Sequence, residues 1–187
     1  MIRFKISLEK KSSRSHEVFI GRDILDRAAL LIAKGNWAQR YFLITDANVA
    51  ALHGERVAET LQKAGLSLES ITIPAGEEAK TMATAVTVAE ELLRRGADRT
   101  AGLIALGGGV VGDLTGFVAS IFMRGIPYVH LPTTLLAQVD SSIGGKTGVD
   151  LPAAKNMLGT FYQPKAVFAD LSFLWSLPAA EMGNGLA

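Results

Sequence analysis

Residues 103–113 read Leu-Ile-Ala-Leu-Gly-Gly-Gly-Val-Val-Gly-Asp, an apolar run broken by three glycines and resumed at Val110-Val111. An apolar run without alternation suits a parallel strand covered on both faces. Glycines at its end let the backbone approach a phosphate closely, and the N-terminus of a following helix supplies free N–H donors and a favourable dipole. Gly107, Gly109 and Gly112 satisfy the spacing of a dinucleotide fingerprint. The alternative reading is a tight strand-to-helix turn that binds nothing.

Working outward, the same strand–helix unit recurs. Upstream, Glu17–Ile20 and Tyr41–Ile44 read as strands, and Asp23–Lys34 has the apolar spacing of a helix stopped at Gly35-Asn36. A helical segment follows Asp46 through about Ala64, then a strand at Leu68–Ile73 and a helix over Lys80–Arg95 stopped by Gly96. Downstream, a helix is predicted over Val110–Met123, a strand over Ile126–Leu131, and a helix opened by Pro132 and running through about Asp140. Ala166–Ala169 reads as the last strand, and Arg3–Leu8 alternates like a half-exposed one. Strands alternating with helices predict an α/β domain, a Rossmann-like, mainly parallel sheet with helices on both faces. The glycine loop lies in the third βα unit and the nearest strand-end acid, Asp46, lies upstream, so the order differs from the standard Rossmann arrangement.

Composition bounds the function. The 187 residues are 49% hydrophobic and 20% charged with net charge +1, the balance of a globular protein and not of a nucleic-acid binder. With no cysteine, disulfides, thiolate nucleophiles and cysteine zinc sites are excluded. There is no signal-peptide pattern and no long apolar span, so a cytoplasmic location without membrane contact is expected. The three histidines have no metal-ligand spacing, and His130, at a strand end, reads as a packed side chain.

Several polar residues fall at strand ends. Asp46 either hydrogen-bonds a ribose or adenine or caps the helix after it. Glu77 and Lys80 could act together as a hydroxyl acceptor and a cation, or be solvated charges at a helix start. Gly145-Lys146-Thr147 ends like a P-loop, but Asp140 stands where the first P-loop glycine belongs, and a carboxylate there would face the phosphates. Asp140, Lys146, Lys155 and Asn156, spaced by glycines, read instead as a site for an anionic, hydroxylated small molecule, or else as an exposed charged loop. Arg124 reads as a cation at a helix C-terminus.

Ala105–Phe117, Met123–Gly125, Leu131–Thr147 and Lys155–Pro164 together resemble 3-dehydroquinate synthase, over the N-terminal half of that family's length. The resemblance implies an NAD-dependent cyclase that converts the sugar acid phosphate DAHP to 3-dehydroquinate and phosphate in the shikimate pathway, a lyase reaction in which NAD is regenerated. It also implies a divalent metal, zinc or cobalt, acting as Lewis acid, and a homodimer. By this likeness Asp46, Gly76, Glu77 and Lys80 would hold the ribose side of NAD. Gly108, Gly109, Val110, Val111, Gly112 and Asp113 would receive the pyrophosphate, beside Thr133 and Thr134. Phe173, Leu174, Trp175 and Ser176 would line the cofactor. Asp140, Lys146, Lys155 and Asn156 would face the substrate, the two lysines also near the cofactor, and Arg124 would reach a phosphate across the dimer interface. Residues 1–178 then form the nucleotide-binding domain and 179–187 the start of a helical second domain. The family's Gly-Leu-Ala-Glu motif ends here at Ala187, one residue before its metal-binding glutamate, so the chain alone is expected to lack the metal site and activity. A related cyclase of the 2-deoxy-scyllo-inosose synthase type, a metal-dependent polyol dehydrogenase and a non-catalytic nucleotide-binding module are the alternatives.

Overall fold

The computed structural model describes residues 15–186. Along them run β1 (Glu17–Gly21), α1 (Leu25–Gly35), β2 (Arg40–Asp46) and α2 (Ala47–Val49), which continues through a π-helical stretch (Ala50–Gly54) into α3 (Glu55–Lys63). Next come β3 (Leu68–Ile73), α4 (Met82–Arg94), β4 (Ala101–Gly107), α5 (Gly109–Ile121) and β5 (Tyr128–Pro132). β6 (Lys146–Leu151), β7 (Ala154–Phe161), β8 (Ala166–Asp170) and α6 (Ala179–Leu186) complete the chain. The expected strand at Arg3–Leu8 lies outside the described residues.

Six strands form one sheet in the order β1-β8-β5-β4-β2-β3, every pairing parallel. Alternate side chains of the central strands point to opposite faces, and both faces are covered. Phe42, Ile44, Leu103 and Ala105 meet Val88, Leu92, Val111 and Leu114 of α4 and α5. Tyr41, Leu43, Ile104 and Leu106 meet Ala28, Ile32, Val57 and Leu61 of α1 and α3. Each fully buried aliphatic or aromatic side chain contributes about 1.5–3 kcal/mol relative to exposure, which is why these strands carry no polar alternation. The α/β expectation holds, with a sheet wholly and not just mainly parallel among the described residues.

The α5 helix is buried nearly all round because the sheet lies on one side and the β6–β7 hairpin on another. That requires small residues where neighbours come closest. A Cβ on Gly112 would lie 2.1 Å from Cε1 of the buried His130, and one on Gly116 would lie 2.4 Å from Thr147 Cγ2. Gly112→Ala should therefore destabilise the fold by about 1–3 kcal/mol in urea unfolding, although alanine is the better helix former by ~1 kcal/mol. A stabilised variant would show that His130 yields without cost.

Several boundaries differ from those read in the sequence. Pro132 ends β5 and does not open a helix; Thr134, two positions on, takes the capping role, its Oγ1 accepting from the Ala137 N–H at 3.2 Å. The fourth helix starts at Met82, capped by Thr81, which leaves Lys80 in the preceding turn. The α5 helix stops at Ile121, because Met123 and Arg124 take left-handed backbone angles of 49° and 68°. The segment after Asp140 is not a plain loop: it forms the antiparallel hairpin β6–β7, with Lys146 opposite Phe161.

Candidate functional site

Parallel strands place their loops on one edge, and that edge holds most of the polar residues singled out in the sequence. The connections from β2 and β4 leave in opposite directions, to β3 on one side and to β5 on the other, so a crevice opens between their carboxyl ends. Gly107–Gly109 lie at its base. The α5 helix starts there with no side-chain cap, leaving its first-turn N–H groups as ordinary unpaired donors. A Cβ on Gly108 would stand 2.9 Å from Thr134 Cγ2, and one on Gly109 would stand 3.4 Å from Ser141 Oγ. The hydroxyls of Thr133, Ser141 and Ser142 are buried and have no hydrogen-bond partner among the described residues. Free N–H donors, absent side chains and orphaned hydroxyls fit an anionic group such as a pyrophosphate.

Beside α5 lies a cavity of about 570 Å³ between that helix and the hairpin. Asp113, Asp140, Ser141, Lys146 and Asn156 line it. The structure thus brings Asp140, Lys146 and Asn156 together as the sequence suggests. Lys155 points elsewhere: its Nζ lies 3.4 Å from Glu77 Oε1, outside this cavity. Arg124 is exposed in the turn after α5 and does not line the cavity.

The side chains of Glu77 and Lys80 are not paired with each other: Glu77 meets Lys155, and Lys80 turns to other partners. Lys80 is 5% exposed, and its Nζ donates to Asp113 Oδ2 and Asn156 Oδ1, both at 2.6 Å. Its carbonyl accepts from the Asp150 N–H at 2.8 Å, and the Asp150 carboxylate accepts from the Asn156 N–H. Lys80 therefore joins α5, the turn after β3 and the hairpin. Burial pushes the Asp113 carboxyl above its ordinary value against the pull of Lys80, with the charges of Glu77 and Asp150 pushing the same way as burial.

Asp46 caps α2, with Oδ1 accepting from the Asn48 and Val49 N–H groups at 2.9 and 3.0 Å. Within Phe173–Ser176, the Phe173 ring is buried in the core, whereas Trp175 is 75% exposed with Arg22 4.7 Å from its ring centre. Asp170 is a structural anchor that the sequence did not single out. Its carboxylate accepts from the N–H groups of Asp23, Ile24 and Ser172, tying β8 to the chain leaving β1. His53 was also passed over, because its hydrogen-bond partner, Ser176, is 123 positions away. His130 is packed as expected, and burial lowers its pKa to about 4.

The family model for the N-terminal region of 3-dehydroquinate synthase matches residues 70–184. The chain belongs to that family. It is 48% identical over 173 residues to the 3-dehydroquinate synthase of Symbiobacterium thermophilum, covering 92% of this chain and 48% of that protein. It is 53% identical over 152 residues to the enzyme of the same name from Latilactobacillus sakei, covering 81% and 43%. The chain thus spans about half the length of the curated relatives it matches. Among solved structures it superimposes on 2-epi-5-epi-valiolone synthase from Streptomyces hygroscopicus with NAD+ and Zn2+ bound, at TM-score 0.85 and 36% identity over 98% of this chain and 50% of that one. It also matches 2-deoxy-scyllo-inosose synthase complexed with carbaglucose-6-phosphate, NAD+ and Co2+, at TM-score 0.84 and 31% identity over 90% and 46%. Glycerol dehydrogenase from Schizosaccharomyces pombe, 18% identical at TM-score 0.69, shares the fold.

Proposed function

We propose that the chain is the nucleotide-binding part of a 3-dehydroquinate synthase, with residues 1–178 as the NAD-binding unit and 179–187 leading into a second domain. The observation that carries this reading is the adjacency of an uncapped glycine cradle at Gly107–Gly109 and a cavity holding Asp140, Lys146 and Asn156, with Ser141 bordering both. Enzymes of that name reach 53% identity to the chain, against 31% and 36% for the two other cyclases. That gap favours DAHP as the substrate of the whole enzyme over the sugars of its relatives.

When bound, NAD supplies a reversible hydride acceptor. The chain's own residues bind and orient. The Gly108 and Gly109 backbone and the first turn of α5 meet the pyrophosphate, with Thr133 and Thr134 beside it. Asp46, Gly76, Glu77 and Lys80 serve the ribose side. Lys146 meets the substrate carboxylate as a point charge, while Asp140 and Asn156 meet its hydroxyls. Lys155, released from Glu77, serves the same ligands, and Arg124 serves a second copy of the chain. No group of three His, Cys, Asp or Glu side chains comes together among the described residues, so they do not fit a divalent metal and no step through one is assigned to them. No helix among the described residues is long and apolar enough to cross a membrane; a cytoplasmic location belongs with the proposed pathway.

Calorimetric titration of NAD into the 187-residue chain tests the cofactor reading. Saturable binding is expected, and Gly108→Val, whose side chain would enter the cradle and strike Thr134, should weaken it by at least tenfold with the far-UV circular dichroism unchanged. Equal binding by both would place the nucleotide elsewhere. For the whole enzyme, the chain is combined with the half of a relative that it does not match and supplied with NAD and zinc. Phosphate release from DAHP is expected; turnover of a hexose phosphate instead would assign the chain to another cyclase.

A further inference from the structure

Opposite the 570 Å³ cavity, the crevice has a second wall, on the α1 and α3 face of the sheet. Phe173 packs into the core on that face with Leu106, Leu131 and Val57. Two segments far apart in the chain meet there. One is the π-helical stretch after β2, which carries His53; the other is the 3₁₀ turn Leu171–Ser176 after β8. Since β5 and β4 lie between β8 and β2, the two strand ends are separated by three strand spacings, about 14 Å. His53 Nε2 lies 2.7 Å from Ser176 Oγ, and the His53 ring stands edge-on to Phe173 at 5.0 Å. A π-helical insertion commonly marks a functional position in a helix.

The proton placement follows from the neighbours. Ser176 Oγ lies 3.0 Å from the Phe173 carbonyl, to which it donates its one hydrogen. It can then only accept from His53, so the His53 proton sits on Nε2. The remaining lone pair of this exposed hydroxyl faces outward as an acceptor, suited to a ligand hydroxyl or amino group. We propose that His53 is a positioning residue of the cofactor site, holding the Ser176 hydroxyl as a fixed acceptor for the adenosine part of NAD. This rests on the NAD reading above.

The test is a double-mutant cycle on NAD affinity with His53→Leu, Ser176→Ala and both together, plus His53→Gln, whose amide N–H can replace Nε2–H. His53→Leu and Ser176→Ala are each expected to weaken NAD about five- to tenfold, the double variant no further than either single one, and His53→Gln to stay within about twofold of the parent. Urea midpoints separate this from a loss of fold, and the exposed Trp175 on the same turn reports its order without ligand: acrylamide quenching in a Trp37→Phe background should rise in His53→Leu and not in His53→Gln. Additive losses, parent-like binding by His53→Leu, or a fall in affinity that tracks the urea midpoint in all variants would each overturn the proposal. If the parent binds NAD and His53→Leu binds equally well, this inference alone fails; if the parent does not bind NAD, the cofactor reading fails and takes it along.

Discussion

Replacing Lys80 with methionine should cost about 3 kcal/mol of stability, measured by urea unfolding at pH 7.5. The methylenes of methionine keep the packing, so the loss comes from the charge. Lys80 Nζ is the partner of both Asp113 Oδ2 and Asn156 Oδ1, and the lysine side chain is 6% exposed while that of Asp113 is 21% exposed. Breaking a buried pair from one side leaves an uncompensated carboxylate and typically costs 3–5 kcal/mol; the partial access of water to Asp113 puts the expected cost at the low end. The sign with pH follows. Burial already raises the Asp113 pKa, and losing Lys80 raises it further, so the folded variant takes up a proton that the unfolded chain releases. The deficit should therefore be smallest near pH 4 and grow as pH rises through the raised value. Adding Asp113→Leu should recover more than half of the loss at pH 7.5, because an apolar pair can replace a buried ionic one at little cost. A single variant within 1 kcal/mol of the parent would show that the bridge contributes nothing net.

The second large effect concerns acid. His130 is buried on β5 against Gly112, its Nε2 has no partner among the described residues, and burial lowers its pKa from 6.5 to about 4. The unfolded chain binds the proton first as pH falls, so stability is complete above pH 6.5 and drains away between pH 6.5 and about 4. The displacement corresponds to a loss on the order of 3 kcal/mol by pH 4. His130→Phe removes the titration. Whatever offset the larger ring introduces at pH 7, the difference in unfolding free energy between parent and variant should shift by about 3 kcal/mol in the variant's favour on going to pH 4. A difference that stays constant with pH would show that His130 takes up its proton as readily in the folded protein as in the unfolded chain.

The sheet was legible because each parallel strand must be apolar on both faces. Leu68–Ile73 matches its observed strand in full, and Tyr41–Ile44 and the apolar run Leu103–Leu106 fall within theirs. The hairpin was not legible for the same physical reason in reverse. All but one residue of β7 is exposed, so burial imposes no pattern on it, and β6 is interrupted by Gly148. The burial of Lys80 is not legible, because its partner carboxylate is 33 positions away and a buried lysine looks like any helix-start lysine in a linear chain. The glycine cradle and the grouping of Asp140, Lys146 and Asn156 were readable from residue type alone. Ser176 is reached through the family resemblance, but its contact with His53 is not legible, because 123 positions separate the two until the sheet order brings their loops together.

That sheet order also governs how the chain can be made. β1 pairs with β8, and Asp170 captures the Asp23 N–H across 147 positions, so the first described strand finds its neighbour only when the last one has emerged. At roughly 5–20 residues per second on a ribosome, β1 waits on the order of ten to thirty seconds beside a growing partner-less sheet. During that interval β1 is an unpaired strand and Phe19 lacks Phe168, on which its ring stacks at 4.9 Å, the kind of surface that holdase chaperones recognise and that aggregates when they are scarce. Docking of β1 is thus placed among the last events of folding.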